Sequence, residues 1–566
     1  MKKYIKFRCT MLLTAMLVTG LISCKKDFGE TNTNPKTVGT PDIKFLLTYS
    51  EDKIVTYQGT EWVWESLEQL MRFTQHITTD PYELTTNVNT RYNQFYVNIL
   101  PNLFEIRRQI ALKPDKDNYR KMEAITYVLQ VLHGIKVTDM NGSIPYTQAM
   151  KGRYENGFSP VYDKQEVLFD TWLQELDNSI AILSDNSLQN QNSYGTADIY
   201  YKSDWVKWVK LANSLKLRIA ARLEGQNNTK TRTIFQQVMQ NSTGPIETLD
   251  DQLNYQNMDY LPFGSSGDIN YRSIRYATIS IMKFLKSSND PRIGIYFEQN
   301  DLQAKFRDSL IKYNVTLPSF ISLADPLIMY QGGPADFSTN PTVANYFKNT
   351  FAIGPTARYF LISPINRRFF SPRFNAVSIT AEFKEVILSS AETCFQIAEF
   401  VQKGYAGAVS TRGSAEDWYK KGVAASIRSM NNIATVAGLP SVLTGDGTTE
   451  INAYLANTNV AFNGINNLER IYIQQYLNLF RSPNEAFVFS RRTGYPKLSS
   501  TYYAREVFNE VIPRRFWTTD PGEVNRANWS AALSDQGFTP IAQDVNTLNT
   551  QRIWYDKNAP AFGNGQ

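Results

Sequence analysis

Apolar residues return at helical spacing in one stretch of this chain after another, and that periodicity constrains the fold more than any other feature. Leu168, Trp172, Leu176, Ile180 and Leu183 form one stripe, and Trp208, Ala212, Leu215 and Ile219 form the next, on a helix predicted over Asp204–Leu223. Such a stripe buries one face of a helix against a neighbour. Small Ala212, Ala220 and Ala221 allow that neighbour a close approach. Further amphipathic segments are predicted over 387–401, 416–427 and 465–480. Near the start one segment begins at Phe45, and another runs over 62–77 with Trp64, Leu67, Leu70, Met71 and Thr74 in register. The expectation is a mainly α fold of stacked helical pairs with few short strands.

Punctuation between these helices is readable too. Asp163 is a candidate N-cap with Glu166 three residues on, the capping-box arrangement. A preceding helix is predicted to end near Val137, followed by Asp139-Met140-Asn141-Gly142-Ser143-Ile144-Pro145-Tyr146 as a turn, with Gly142 at a positive-φ position. The Asp-x-Asn-Gly spacing touches a calcium loop, but a third oxygen ligand is missing and the twelfth position is Met150. No metal is expected there.

The N-terminus carries an address. Lys2, Lys3, Lys6 and Arg8 precede an apolar run over Cys9–Ile22, which is too short to span ~30 Å of hydrocarbon. Leu21-Ile22-Ser23-Cys24 resembles the bacterial lipobox, so residues 1–23 are read as a removable signal and Cys24 as the site of lipid attachment. Two or three acyl chains, at ~0.8 kcal/mol per buried methylene, anchor a protein firmly. Turn formers then fill 24–42, a flexible tether. Loss of residues 1–23 removes four basic side chains and no acidic one, lowering the formal charge from +6 to +2. A nearly neutral chain lacks the basic footprint of a nucleic-acid binder. Of Cys9, Cys24 and Cys394 only the last would stay a free thiol, on a stripe with Ala391, Phe395 and Ala398, so no intrachain disulfide is expected and the core must stabilise the fold alone.

No His-Glu-x-x-His, Gly-x-Ser-x-Gly, Walker A or Gly-x-Gly-x-x-Gly motif occurs, and the chain has two histidines, His76 and His133. A glycoside hydrolase needs only two suitably spaced carboxylates, so that chemistry stays open as an alternative. Around Tyr82, Asn87, Arg91 and Tyr92 the text mixes aromatics with amides and guanidinium, as does the text near Trp62, Tyr271 and Tyr330. Sugar faces stack on aromatic rings while hydroxyls pair with planar amides and guanidinium groups. Trp62, Tyr82, Arg91, Tyr92, Tyr271 and Tyr330 are therefore the expected ligand contacts, and Gln331-Gly332-Gly333 would let a ligand approach backbone closely. The pairs Arg491-Arg492 and Arg514-Arg515 are expected to tie the C-terminal loops to acidic helix ends.

Several phrases resemble the SusD/RagB family of Bacteroidetes nutrient-binding outer-membrane lipoproteins, in its SusD-like branch: Asp139–Tyr146, Tyr162–Glu166, Trp208–Arg222, Ser389–Glu399, Arg491–Pro496 and Arg552–Lys557. The resemblance implies a tetratricopeptide-like scaffold of about four helical pairs. It places a large irregular ligand face in inserted text, roughly 225–375, within a single domain over 43–566. It further implies no catalysis and no cofactor. The partner would be a SusC-like TonB-dependent transporter in the outer membrane, over which the protein sits as a lid. The cargo would be oligosaccharides, alternatively oligopeptides; an envelope lipoprotein without small ligand is the third reading.

Overall fold

The computed structural model describes residues 41–55, 61–79, 88–260, 275–314, 316, 321–336, 351–353, 357–370, 381–539 and 544–565. Its body is built from α1 (Ile43–Ile54), α2 (Leu100–Ala111), α3 (Arg120–Asn141), α4 (Gln165–Ser184), α5 (Trp205–Leu223), α6 (Asn228–Gln240), α7 (Ser390–Gln402), α8 (Ala415–Val436), α9 (Asn467–Asn478) and α10 (Pro483–Thr493). α1 packs on α2, α3 on α4, α5 on α6 and α7 on α8, while contacts of α4 with α5 and of α7 with α9 join the pairs. Caps start these helices where the sequence supplies them. Asp204 accepts the Lys207 N–H at 3.1 Å, and Ser389 accepts the Glu392 N–H at 3.0 Å. Ser414 and Asp417 close a capping box on α8. Gly134 of α3 faces the indole of Trp172 on α4 so closely that a Cβ would lie 2.9 Å from the ring, so this pair packs tightly only because residue 134 has no side chain.

Strands are few and short. β1 (Ile77–Thr79) pairs antiparallel with β3 (Arg275–Ala277), β2 (Leu253–Tyr260) with β6 (Ala381–Leu388), and β4 (Phe351–Ile353) with β5 (Ala357–Tyr359). Two-stranded ribbons are marginal alone, so each depends on the helices around it.

Several local expectations are corrected. α3 runs to Asn141, past Val137, because long-range partners neutralise the Asp139 carboxylate inside the protein. Asp163 does not cap α4. Its carboxylate accepts the Tyr146 and Thr147 N–H groups, both at 2.9 Å, and so pins the preceding turn, while Lys164 precedes the helix with no side-chain cap. The segment over 62–77 is a π-helix, Glu61–Leu70, followed by a short α-turn, and Ile77 already belongs to β1. Residues 387–388 end β6, and helix 416–427 extends to Val436. α6 packs on α5, so the first part of 225–375 belongs to the scaffold.

Two cores result. The larger, among the scaffold helices, contains Leu47, Ile125, Trp172, Trp208, Phe235 and Cys394. The second contains Trp62, Met71, Phe284, Tyr296, Tyr476 and Phe480. Within the scaffold, the Tyr146 hydroxyl donates to Glu175, whose carboxyl burial pushes up to about 7 from 4.5. A raised carboxyl is protonated in the folded chain where it would be ionised unfolded, so stability falls as pH rises from 4.5 to about 7. Glu175→Gln is expected to abolish that slope and to raise unfolding free energy above pH 7 by about 1–3 kcal/mol, measured by urea unfolding across pH. A variant with the parent's slope refutes this.

Candidate functional site

A groove of about 530 Å³ opens between residues 279–289 and 325–332. One wall is the helix Ile279–Ser287, started by Thr278, whose hydroxyl accepts the Ile281 N–H and donates to the Gln75 carbonyl. The other wall is the segment from Asp325 to Gly332. Three ties hold the walls together: Lys286 pairs with Asp325, Lys286 Nζ donates to the Tyr330 carbonyl at 3.1 Å, and the Ile279 N–H donates to the Gly333 carbonyl at 2.8 Å. Gly332 is required here. A Cβ at this position would sit 2.2 Å from the Thr278 carbonyl oxygen, so the space that the sequence reading left for a ligand is taken by the Thr278 backbone.

The groove is amphipathic. Ile279, Met282, Pro326 and Leu327 supply apolar surface, and Lys283, Asn289, Asp325 and Gln331 supply donors and acceptors. Burial raises the Asp325 carboxyl, but the Lys286 hydrogen bond and the Leu327 N–H hold it below its ordinary value, so it stays ionised. It is the one carboxylate among the described lining residues. This surface can bind a neutral polar molecule; it does not offer the paired acid and base that hydrolysis requires.

The six expected contacts are not brought together. Tyr330 stands beside the groove, half-buried, with its hydroxyl bonded to Gln299. Tyr82, Tyr271 and Cys24 lie outside the described residues. Arg91 is wholly buried: it donates to Asn484 at 3.1 Å and pairs with Glu65 at 3.3 Å, so it organises the interior and presents nothing to a ligand. Tyr92 is half-buried and tilts against Tyr96 at 4.6 Å between ring centroids, packed on the larger core. Trp62 is 6% exposed and tilts against Phe370, whereas Trp64, two residues on, is 49% exposed. The sequence reading placed Trp64 on the buried stripe and missed it as a surface aromatic; the signal available was that two tryptophans two residues apart point to different sides of a helix. The arginine pairs are interior ties. Arg492 binds Glu399 at 2.7 Å, Arg514 binds Asp556, and Arg491 donates to the carbonyls of Arg514 and Asp139.

Among the described residues no group of His, Cys, Asp and Glu is placed to hold a metal ion, and no helix is long and apolar enough to cross a membrane. His76 and His133 are buried, and burial lowers both rings to about 3.

Known structures share this architecture. A chitin-binding protein is 22% identical with a TM-score of 0.67, covering 91% of this chain and 100% of its own. A chitin-binding SusD homologue from Flavobacterium johnsoniae is 20% identical with a TM-score of 0.63, covering 92% and 100%. A SusD homologue from Bacteroides fragilis is 22% identical with a TM-score of 0.64, covering 91% and 99%. No curated protein matches the sequence. The SusD-like family model, described as "Starch-binding associating with outer membrane", matches residues 35–517, and with most of its length inside that match the chain belongs to the SusD-like family.

Proposed function

We propose that this protein is a lipid-anchored surface lipoprotein of the outer membrane that captures oligosaccharides and closes as a lid over a SusC-like TonB-dependent transporter. Family membership over residues 35–517 and the chitin-binding names of two structurally similar proteins support the glycan class. The observation that carries binding over hydrolysis is the groove itself: an apolar floor rimmed by amide, ammonium and a single ion-paired carboxylate. Cys24 is the anchor in this reading. Tyr82, Tyr271 and Tyr330, joined by exposed Trp64, are the aromatic contacts that remain after Trp62, Arg91 and Tyr92 are assigned to the interior.

Calorimetric titration of the mature chain without Cys24, against chito-oligosaccharides, starch-derived oligosaccharides and mixed oligopeptides, tests the reading. Saturable binding to one saccharide class is expected. Tyr330→Ala and Trp64→Ala should each weaken it by about threefold to tenfold, as loss of one aromatic contact does. Saturation by peptides alone would move the cargo to that class, and unchanged affinity in both variants would remove these residues from the site. In cell fractionation, Cys24→Ala should release the protein from the membrane; retention there would refute the lipid anchor.

A further inference from the structure

A second cavity, of about 120 Å³, lies between the two cores and shares no described lining residue with the groove. Ile54 and Leu132 border it from the scaffold side, Trp62 and Val386 from the other. Its charged lining is balanced and paired: Glu61 with Lys136, Arg218 with Glu485 at 3.8 Å and with Glu392 behind the lining at 2.6 Å, and Arg481 with Glu385 at 2.5 Å. A charged guest would therefore lose its hydration and find no spare countercharge.

On this lining the buried polar atoms Trp62 Nε1, His133 Nδ1 and Glu61 Oε2 have no hydrogen-bond partner. Their side chains are 6%, 1% and 2% exposed. Their chemistry is decided by their neighbours. His133 Nε2 lies 3.1 Å from the Arg91 carbonyl, which only accepts, so Nε2 carries the proton and Nδ1 offers a lone pair. Burial works against the Glu61 charge, but Lys136 and Arg91 hold the carboxyl down to about 2, so Oε2 is an acceptor as well. Trp62 Nε1 can only donate. One donor and two acceptors thus belong to residues lining a space that also presents aliphatic Ile54, Leu132 and Val386, and an unmet polar atom at such depth costs about 1–3 kcal/mol.

We propose that this cavity binds a neutral hydroxyl-bearing molecule, a polyol or a single sugar of about three to six carbons, through Trp62, His133 and Glu61. A hydroxyl both donates and accepts, so two neighbouring hydroxyls satisfy Glu61 and His133 while one of their oxygens accepts from the Trp62 indole. The C–H side of the guest meets Ile54, Leu132 and Val386. The volume resembles that of a cavity of ~150 Å³ which admits benzene. Half-buried Val55 and Lys136, also on the lining, give the space an edge on solvent. The inference is independent of the transport reading, because it stands on these atoms alone.

The test follows the Trp62 indole ¹⁵N–¹H resonance, assigned by its loss in Trp62→Phe, while the full mature chain is titrated with glycerol, erythritol and glucose. At least one probe should shift it saturably, with a Kd on the order of 1 mM. By calorimetry Trp62→Phe should weaken that probe by about fivefold to tenfold, the loss of one hydrogen bond. Leu132→Phe, which fills the cavity, should abolish the shift, and Tyr330→Ala should leave it intact. An indole signal that no probe moves means water is the occupant and overturns the proposal, whether or not the two cavity variants fold. A shift that disappears in Tyr330→Ala also overturns it, since the probe would then be acting through the groove.

Discussion

Arg222→Ala is expected to lower the unfolding free energy by about 3–5 kcal/mol, the cost of stranding buried charge. Arg222 lies on α5 and reaches Asp139 of α3 and Glu485 of α10, each at 2.9 Å, while Arg218 one turn earlier takes Glu392 of α7 at 2.6 Å. Asn484 and the Tyr555 hydroxyl add hydrogen bonds to the Asp139 carboxylate. Four helices are tied by this one network, and every member is nearly or wholly buried. Burial pushes the Glu485 carboxyl up, yet Arg218 and Arg222 hold it below its ordinary value. Without Arg222 the Glu485 carboxyl would rise in the folded state. The defect should then be greatest at neutral pH and shrink as pH falls below about 5, because a raised folded pKa stabilises the acid side of the titration. Urea unfolding at pH 4 and pH 8 measures both. A loss under 1 kcal/mol at pH 8, or one independent of pH, would show that the network does not hold the pairs together.

The second large effect is expected at Asp198. Its carboxylate accepts the Trp208 indole N–H at 2.8 Å, the Ser203 N–H at 2.7 Å, and the Tyr200 and Tyr201 N–H groups at 3.1 and 2.9 Å. Asp198→Ala leaves these buried donors unmet and should destabilise by about 3–5 kcal/mol. Beside it, burial and then the Asp198 charge raise the Glu51 carboxyl well above its ordinary value. A carboxyl raised in the folded protein binds its proton more tightly there than in the unfolded chain, a difference that works against folding as pH rises. Glu51→Gln should be neutral or stabilising at pH 7.5, in contrast to Asp198→Ala. Equal losses in the two variants would refute this division of charge.

Much of the scaffold was legible because helices announce themselves locally. The stripes at 168–183 and 208–219 became α4 and α5, Asp204 became a cap, and Cys394 came to rest in the larger core. The same reading misplaced Asp163 as a cap, since nothing nearby shows that Tyr146 and Thr147 compete for its carboxylate. Of the expected contacts, Arg91 looked like a ligand residue because its environment of Tyr and Asn is also what surrounds a buried guanidinium. Glu65 and Asn484, which claim it, are 26 and 393 residues away.

Periodicity of i, i+3 and i+4 sets helices, their buried faces and their pairing, and a short apolar leader ending in Ser23-Cys24 sets the expected anchor; these depend on residues within a few turns of one another. Which tryptophan is exposed, where the groove closes, and how the interior charges pair are decided by contacts between residues up to several hundred positions apart. Arg222 meets Asp139 across 83 residues and Glu485 across 263. A side chain's exposure and charge depend on every element packed around it, so they become definite only when the whole chain has folded.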